Sequence, residues 1–182
     1  MAKGDKLKEL ILYIARESEG DEHFGVVKLN KLLFNADFEA YRRFGESVTG
    51  QEYQALPSGP APRQILPTLQ DMQDQSELVI REESLYGYIQ KRPLALRQAD
   101  IHLFSQDEIA LIDHILQRFR HMSATQVSDL SHEFLGWSLA EPGETIPYAV
   151  ALLGREELTE QELEHTKVAE ERARKWREGR AA

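Results

Sequence analysis

At 182 residues, 41% hydrophobic and 29% charged, the chain is long enough to bury a core without staples and too apolar for wholesale disorder. It has no cysteine, which excludes disulfides, thiol nucleophiles and cysteine-ligated zinc and fits a reducing compartment. A net charge of −9 disfavours a generic phosphate-binding surface and suits a basic partner equally well. No apolar run approaches the roughly 20 residues that span a bilayer, and the N-terminus carries no signal-peptide core, so the expected location is the cytoplasm.

Leu7, Leu10, Ile11 and Ile14 recur at helical spacing and predict a first helix over about residues 5–17, ended by Glu19-Gly20-Asp21. A second helix is expected from Val26 to about Phe44. Its apolar stripe is Leu29, Leu32, Leu33, Ala36 and Ala40, with Lys28, Lys31, Asp37 and Arg42 largely off it and Gly45 as the stop. Asp37 nevertheless falls close to the stripe, where a carboxylate needs a partner; Lys28 and the backbone N–H groups around Gly59 are the candidates.

Residues 49–62 hold three prolines and two glycines. Gln51 to Leu56 reads as an extended arm with Gln51, Tyr53 and Ala55 facing one way, and Pro57 ends its hydrogen bonding. Gly59-Pro60 is then expected to turn into a third helix over 62–75, with Pro62 near its first turn. Glu77–Arg81 and Leu85–Gln90, joined by Glu82-Glu83-Ser84, predict a β-hairpin.

Two capping boxes follow. Ser105-Gln-Asp-Glu108, stapled by Phe104 and Ile109, opens a helix through Phe119, and Ser123-Ala-Thr-Gln126 opens another through about Phe134. A third box, Thr159-Glu-Gln-Glu162, predicts a charged helix over 160–178, and residues 155–182 carry eight acids and seven bases.

Chemistry-bearing motifs are sparse. His132-Glu133 lacks the second histidine of a His-Glu-x-x-His zinc helix, so a metal-dependent hydrolase there is the least favoured reading, against one in which His132 and Trp137 pack where two helices meet. There is no nucleophile elbow, phosphate loop or dinucleotide fingerprint, so neither catalysis nor a cofactor or metal is expected. The helices from Ser105 and Ser123 with the 77–90 hairpin imitate a winged helix-turn-helix, which gives a DNA-binding regulator or autorepressor as the alternative. Its second helix offers Gln126, Ser128, Asp129, Ser131 and Glu133 to a groove and no Lys or Arg.

Lys28-Leu-Asn-Lys-Leu-Leu-Phe-Asn-Ala-Asp37, then Tyr41 and Gly45, Thr49-Gly-Gln-Glu-Tyr-Gln-Ala-Leu-Pro-Ser-Gly-Pro60, and later Leu130-Ser-His-Glu133 with Trp137, together resemble the Panacea domain, the SocA-like antitoxin domain or DUF4065, over about residues 5–153. Ser58 stands where many members carry an aromatic residue. The resemblance implies a mainly α-helical α+β domain with a few short strands, encoded by a bacterium or phage beside a toxin that it neutralises by direct protein contact. A role as adaptor to a Clp-type protease is also associated with the family. Carried over by position, Lys28, Asp37 and Tyr41 belong to the signature helix, Gln51, Tyr53, Gly59 and Pro60 to the extended segment, and His132, Glu133 and Trp137 to the later helices. The expected organisation is a Panacea-like domain over 1–154 with an appended charged helix over 155–182.

Overall fold

Helix α2 (Val26–Phe44) is the axis of the molecule, for which a computed structural model describes residues 3–153, residue 86 apart. Around it lie α1 (Lys3–Glu17), β1 (Tyr53–Leu56), β2 (Gly59–Pro62), α3 (Ile65–Asp74), β3 (Leu78–Leu85) and β4 (Tyr88–Ala95). Then come α4 (Gln106–Phe119), α5 (Ala124–His132), α6 (Leu135–Ser138) and β5 (Thr145–Ile146), with short 3-10 turns at Ile101–Leu103 and Tyr148–Leu152. The fold is α+β and mainly helical, with two small antiparallel sheets ordered β2-β1-β5 and β3-β4.

The leucine stripe of α2 packs into a core with Leu7, Leu10, Ile11 and Ile14 of α1 and Leu111, Ile112, Ile115 and Phe119 of α4. Its other side enters a second, aromatic core, where Phe34 and Phe38 meet Tyr53, Ala55 and Ile146 under Phe134, Trp137 and Tyr148. A helix covered on both sides has little solvent face. That corrects the sequence expectation for its polar residues: Lys28, Lys31 and Asp37 are not off the buried surface but only 1%, 1% and 0% exposed. Arg42 is exposed, as expected, and Gly45 ends the helix at φ +80° with its N–H on the Tyr41 carbonyl.

The proline-rich stretch differs from its expected form. Gly59-Pro60 does not turn into a helix, and Pro62 is not in a helical first turn; both prolines lie in β2, which pairs with β1 through a two-residue turn at Pro57-Ser58. The register explains why a strand accepts them. Arg63 N–H donates to the Glu52 carbonyl at 2.8 Å, so the odd-numbered residues of β2 face β1 and the missing N–H groups of Pro60 and Pro62 fall on the outer edge. Helix α3 therefore starts at Ile65 rather than 62. The expected alternation along β1 is present, with Tyr53 and Ala55 buried and Gln54 and Leu56 partly so.

The second hairpin is longer than its apolar runs. Leu78 pairs with Ala95 and Leu85 with Tyr88, so Glu82-Glu83-Ser84 is strand rather than connector, and the reversal sits beside Gly87 at φ +85°. Its outer half lies beyond the core, with Arg81, Glu82, Tyr88, Ile89 and Lys91 all exposed. The hairpin is anchored by Arg92, only 7% exposed, whose guanidinium donates to the carbonyls of Ser18, Glu19 and Asp21 just past the end of α1. At its base Arg97 bridges Glu9 and Glu77 at 2.6 and 2.7 Å; the Arg97 hydrogen bonds hold the Glu9 carboxyl below its ordinary range.

Both expected capping boxes at 105–108 and 123–126 form reciprocally. The third box and the helix at 160–178 lie outside the described residues. None of the described helices is long and apolar enough to cross a membrane.

Candidate functional site

Apart from Lys28, the expected site residues lie where α2, the β1–β2 hairpin and the α5–α6 corner meet. Asp37, wholly buried in the middle of α2, accepts hydrogen bonds from the Thr49 N–H (2.6 Å), the Thr49 hydroxyl (2.5 Å) and the Tyr53 hydroxyl (2.7 Å). Its partners are thus neither Lys28 nor the Gly59 turn. Burial pushes the Asp37 carboxyl up and the donors pull it back, while burial and the neighbouring carboxylate hold Tyr53 and Tyr148 well above the ordinary phenol range. Tyr148 donates to the Gln51 carbonyl at 2.6 Å and stacks on Tyr41 at 5.5 Å between ring centres. Asp37, Tyr41, Gln51 and Tyr53 therefore form one continuous patch that fixes the start of β1 against α2.

Lys28, at the other end of the helix, has its own carboxylate. Its ammonium pairs with Asp21 at 2.5 Å and donates to the carbonyls of Met122 (2.7 Å) and Arg120 (3.4 Å), tying α2 to the α4–α5 turn. Its three protons thus have three acceptors.

Lys31, one turn on, is different. Its buried ammonium donates to the Pro60 carbonyl at 3.2 Å, the outward-facing carbonyl of the β2 edge, and burial pulls it down to about 8. Gly59 lies directly against it: at φ +95°, a Cβ there would sit 2.6 Å from both Lys31 Nζ and Ser131 Oγ. Gly59 is thus required twice, by its left-handed backbone and by the space it leaves for a lysine and a serine. Lys31 and Ser131 are not among the expected site residues: helical spacing sets Lys31 largely off the apolar stripe, and only packing on a second side of α2 buries it.

His132 and Trp137 do pack together, stacked at 4.0 Å and 15° across the α5–α6 corner. Trp137 Nε1 donates to the Leu56 carbonyl at 3.0 Å, and His132 Nε2 is buried without a hydrogen-bond partner. Glu133 lies exposed at the C-terminal cap of α5. Among the described residues no group of three or more His, Asp or Glu is placed to hold a metal ion. The exposed positions of α5 are Thr125, Gln126, Asp129 and Leu130, a surface without a cation to meet phosphates.

Beside this joint runs an open groove of about 810 Å³, bounded by the N-terminus of α2, the tip of the β3–β4 hairpin, the Ser58 turn and α5. Its walls carry exposed apolar side chains, Val27 (44%), Tyr88 (78%) and Ile89 (73%). Gln90 fixes the hairpin over α2, its side-chain amide donating to the Phe24 carbonyl. Uncovered apolar surface inside a groove walled by helix and strand is a feature of protein-docking sites.

No curated protein and no solved structure matches the chain. A family model does. The model described as Antitoxin SocA-like, Panacea domain, matches residues 29–138, which is 110 of 182 residues and spans the stretch from α2 to α6. The chain belongs to the SocA-like antitoxin family, through its Panacea domain.

Proposed function

We propose that the chain neutralises a protein toxin by direct contact, and that the groove between the β3–β4 hairpin tip and α5 is the contact surface. The family supplies the toxin as a class of partner. The observation that carries the choice of surface is the uncovered apolar wall formed by Val27, Tyr88 and Ile89, which a solvated surface has no reason to retain. The Asp37 and Lys31 nodes act one step back, holding the hairpin and α5 that shape the groove. In the same reading His132, Glu133 and Trp137 fix the α5–α6 corner rather than carry chemistry.

Co-expression with the neighbouring open reading frame is the test. A toxic neighbour rescued by this chain, with rescue lost on Ile89→Glu and urea stability unchanged, supports the reading; the absence of any toxic neighbour rescued by the chain sinks it. Delivery to a Clp-type protease is a further consequence of the same contact. It would show as a toxin half-life that lengthens when the protease is removed.

A further inference from the structure

We propose that the groove takes an acidic, apolar segment of its partner, with aliphatic side chains against Val27, Tyr88 and Ile89 and carboxylates directed toward the Ser58 turn and the N-termini of α2 and α5. This rests on the groove being the partner-binding surface. The argument is one of charge. The chain carries −9 overall, yet the groove gathers positive ends.

Helix α2 opens into it at Gly25 with no side-chain cap and no acid in its first turn. Helix α5 opens into it at Ser123, also without an acid in the first turn, and its capping box engages the Gln126 N–H while those of Ala124 and Thr125 have no helical acceptor. Nineteen residues of α2 align their peptide dipoles toward this end.

A second, independent source of positive charge lies behind the wall. Ser58 lines the groove, and the adjacent Gly59 is the residue pressed against Lys31, a buried ammonium whose hydrogen-bond acceptor is a neutral carbonyl. Among the described residues no carboxylate pairs with it, in contrast to Lys28 with Asp21. Lys91 adds an exposed cation on the hairpin wall, and Asp129 is the single acid among the described lining residues. Apolar walls combined with two helix N-termini, the Lys91 ammonium and a buried ammonium one residue behind the Ser58 turn fit leucine-and-glutamate sequence better than a basic one.

The test uses the full chain and two fluorescein-labelled probe peptides, one of alternating leucine and glutamate and one with glutamine in place of glutamate, followed by anisotropy. The glutamate probe should bind about tenfold tighter at about 50 mM salt, and most of that advantage should vanish at about 500 mM. Ile89→Glu should abolish binding of both probes. Lys91→Glu, on an exposed strand position that leaves folding intact, should weaken the glutamate probe at least threefold. Lys31→Met should shrink the glutamate-to-glutamine ratio without changing the glutamine probe.

Equal binding of the two probes, binding of neither, or indifference to Ile89→Glu overturns the proposal. Displacement of the glutamate probe by a single-stranded oligonucleotide at lower concentration overturns it in favour of nucleic acid. Toxin rescue that depends on Ile89 while the two probes bind alike would leave the toxin contact standing and remove only the acidic preference. Selective binding of the glutamate probe with no toxic neighbour would do the reverse.

Discussion

Lys31 is where burial, charge and pH meet in one side chain. Its ordinary value is 10.5 and in the folded protein it falls to about 8, because burial strips the ammonium of water. With the folded value below the unfolded one, the unfolded chain holds more protons between them. Folding stability contributed by this group therefore rises as pH climbs from about 8 toward 10.5, and below 8 the full penalty is present. Lys31→Met should stabilise the protein by about 3 kcal/mol at pH 7 and by almost nothing near pH 10.5, read from urea unfolding of the two proteins. A gain independent of pH would show that the lysine titrates alike in the folded and the unfolded chain.

Asp37 works in the opposite sense, as a hub that accepts from three buried donors. Removing it by Asp37→Ala strands the Thr49 N–H, the Thr49 hydroxyl and the Tyr53 hydroxyl in the interior, at a cost of about 3 kcal/mol or more. Tyr53→Phe removes one donor and should cost only about 1 kcal/mol, and urea unfolding of the two variants separates the cases. The sequence placed Asp37 near the stripe and demanded a partner for it, but named the wrong ones. Thr49 and Tyr53 reach it only because the chain reverses after Gly45, a path that helical spacing does not encode.

Among elements, the β1–β2 hairpin is the joint on which the candidate site depends. Gly59→Ala imposes both an unfavourable φ and a Cβ overlapping Lys31 and Ser131, so a loss of about 2–4 kcal/mol is expected by denaturant unfolding. Ser131→Ala in the same chain should recover part of it. Full additivity of the two changes would mean that the crowding is absent. For the β3–β4 hairpin the equivalent residue is Arg92: Arg92→Met leaves three carbonyls past α1 without their donor and should release the hairpin, seen as faster amide exchange from Leu78 to Ala95 than in α2.

The elements differed in how far they could be read. Helices α1, α2, α4 and α5 were legible because their apolar periods and caps are local, as Ser105 and Ser123 show by forming both boxes. The β1–β2 pair was not, since Pro60 and Pro62 argue against a strand until the register puts them on an outer edge. Strand β5 and the aromatic core under Tyr148 depend on pairing across some ninety residues and leave no local trace.

For the molecule as a whole, the groove is the feature that local reading could not supply. Val27, Ile89 and Thr125 come from three separate elements and have nothing in common in sequence; only the fold makes them neighbours. Recognition works at the same scale: the family match runs from α2 to α6, and Asp37, Tyr53, Gly59 and Trp137 within it are buried or half-buried fasteners of the joint. Members of such a family can keep the fasteners while the groove walls diverge. Exchanging Tyr88-Ile89 for Ser-Ser should leave stability within about 0.5 kcal/mol while abolishing toxin rescue, as growth assays with parallel urea curves would show.

The two buried lysines of α2 also set an order on synthesis. Lys31 finds its carbonyl 29 residues downstream, whereas Lys28 must wait for the main chain at Arg120 and Met122, more than ninety residues later. A nascent chain that has passed α3 but not α4 holds a helix with one of its interior cations only partly satisfied and one whole face, the one that receives Leu111, Ile115 and Phe119, still wet. Such a chain is a substrate for proteases until about two thirds of it has emerged. The molecule is thus expected to gain protease resistance only once α4 has docked, which limited proteolysis of chains truncated after α3 would show.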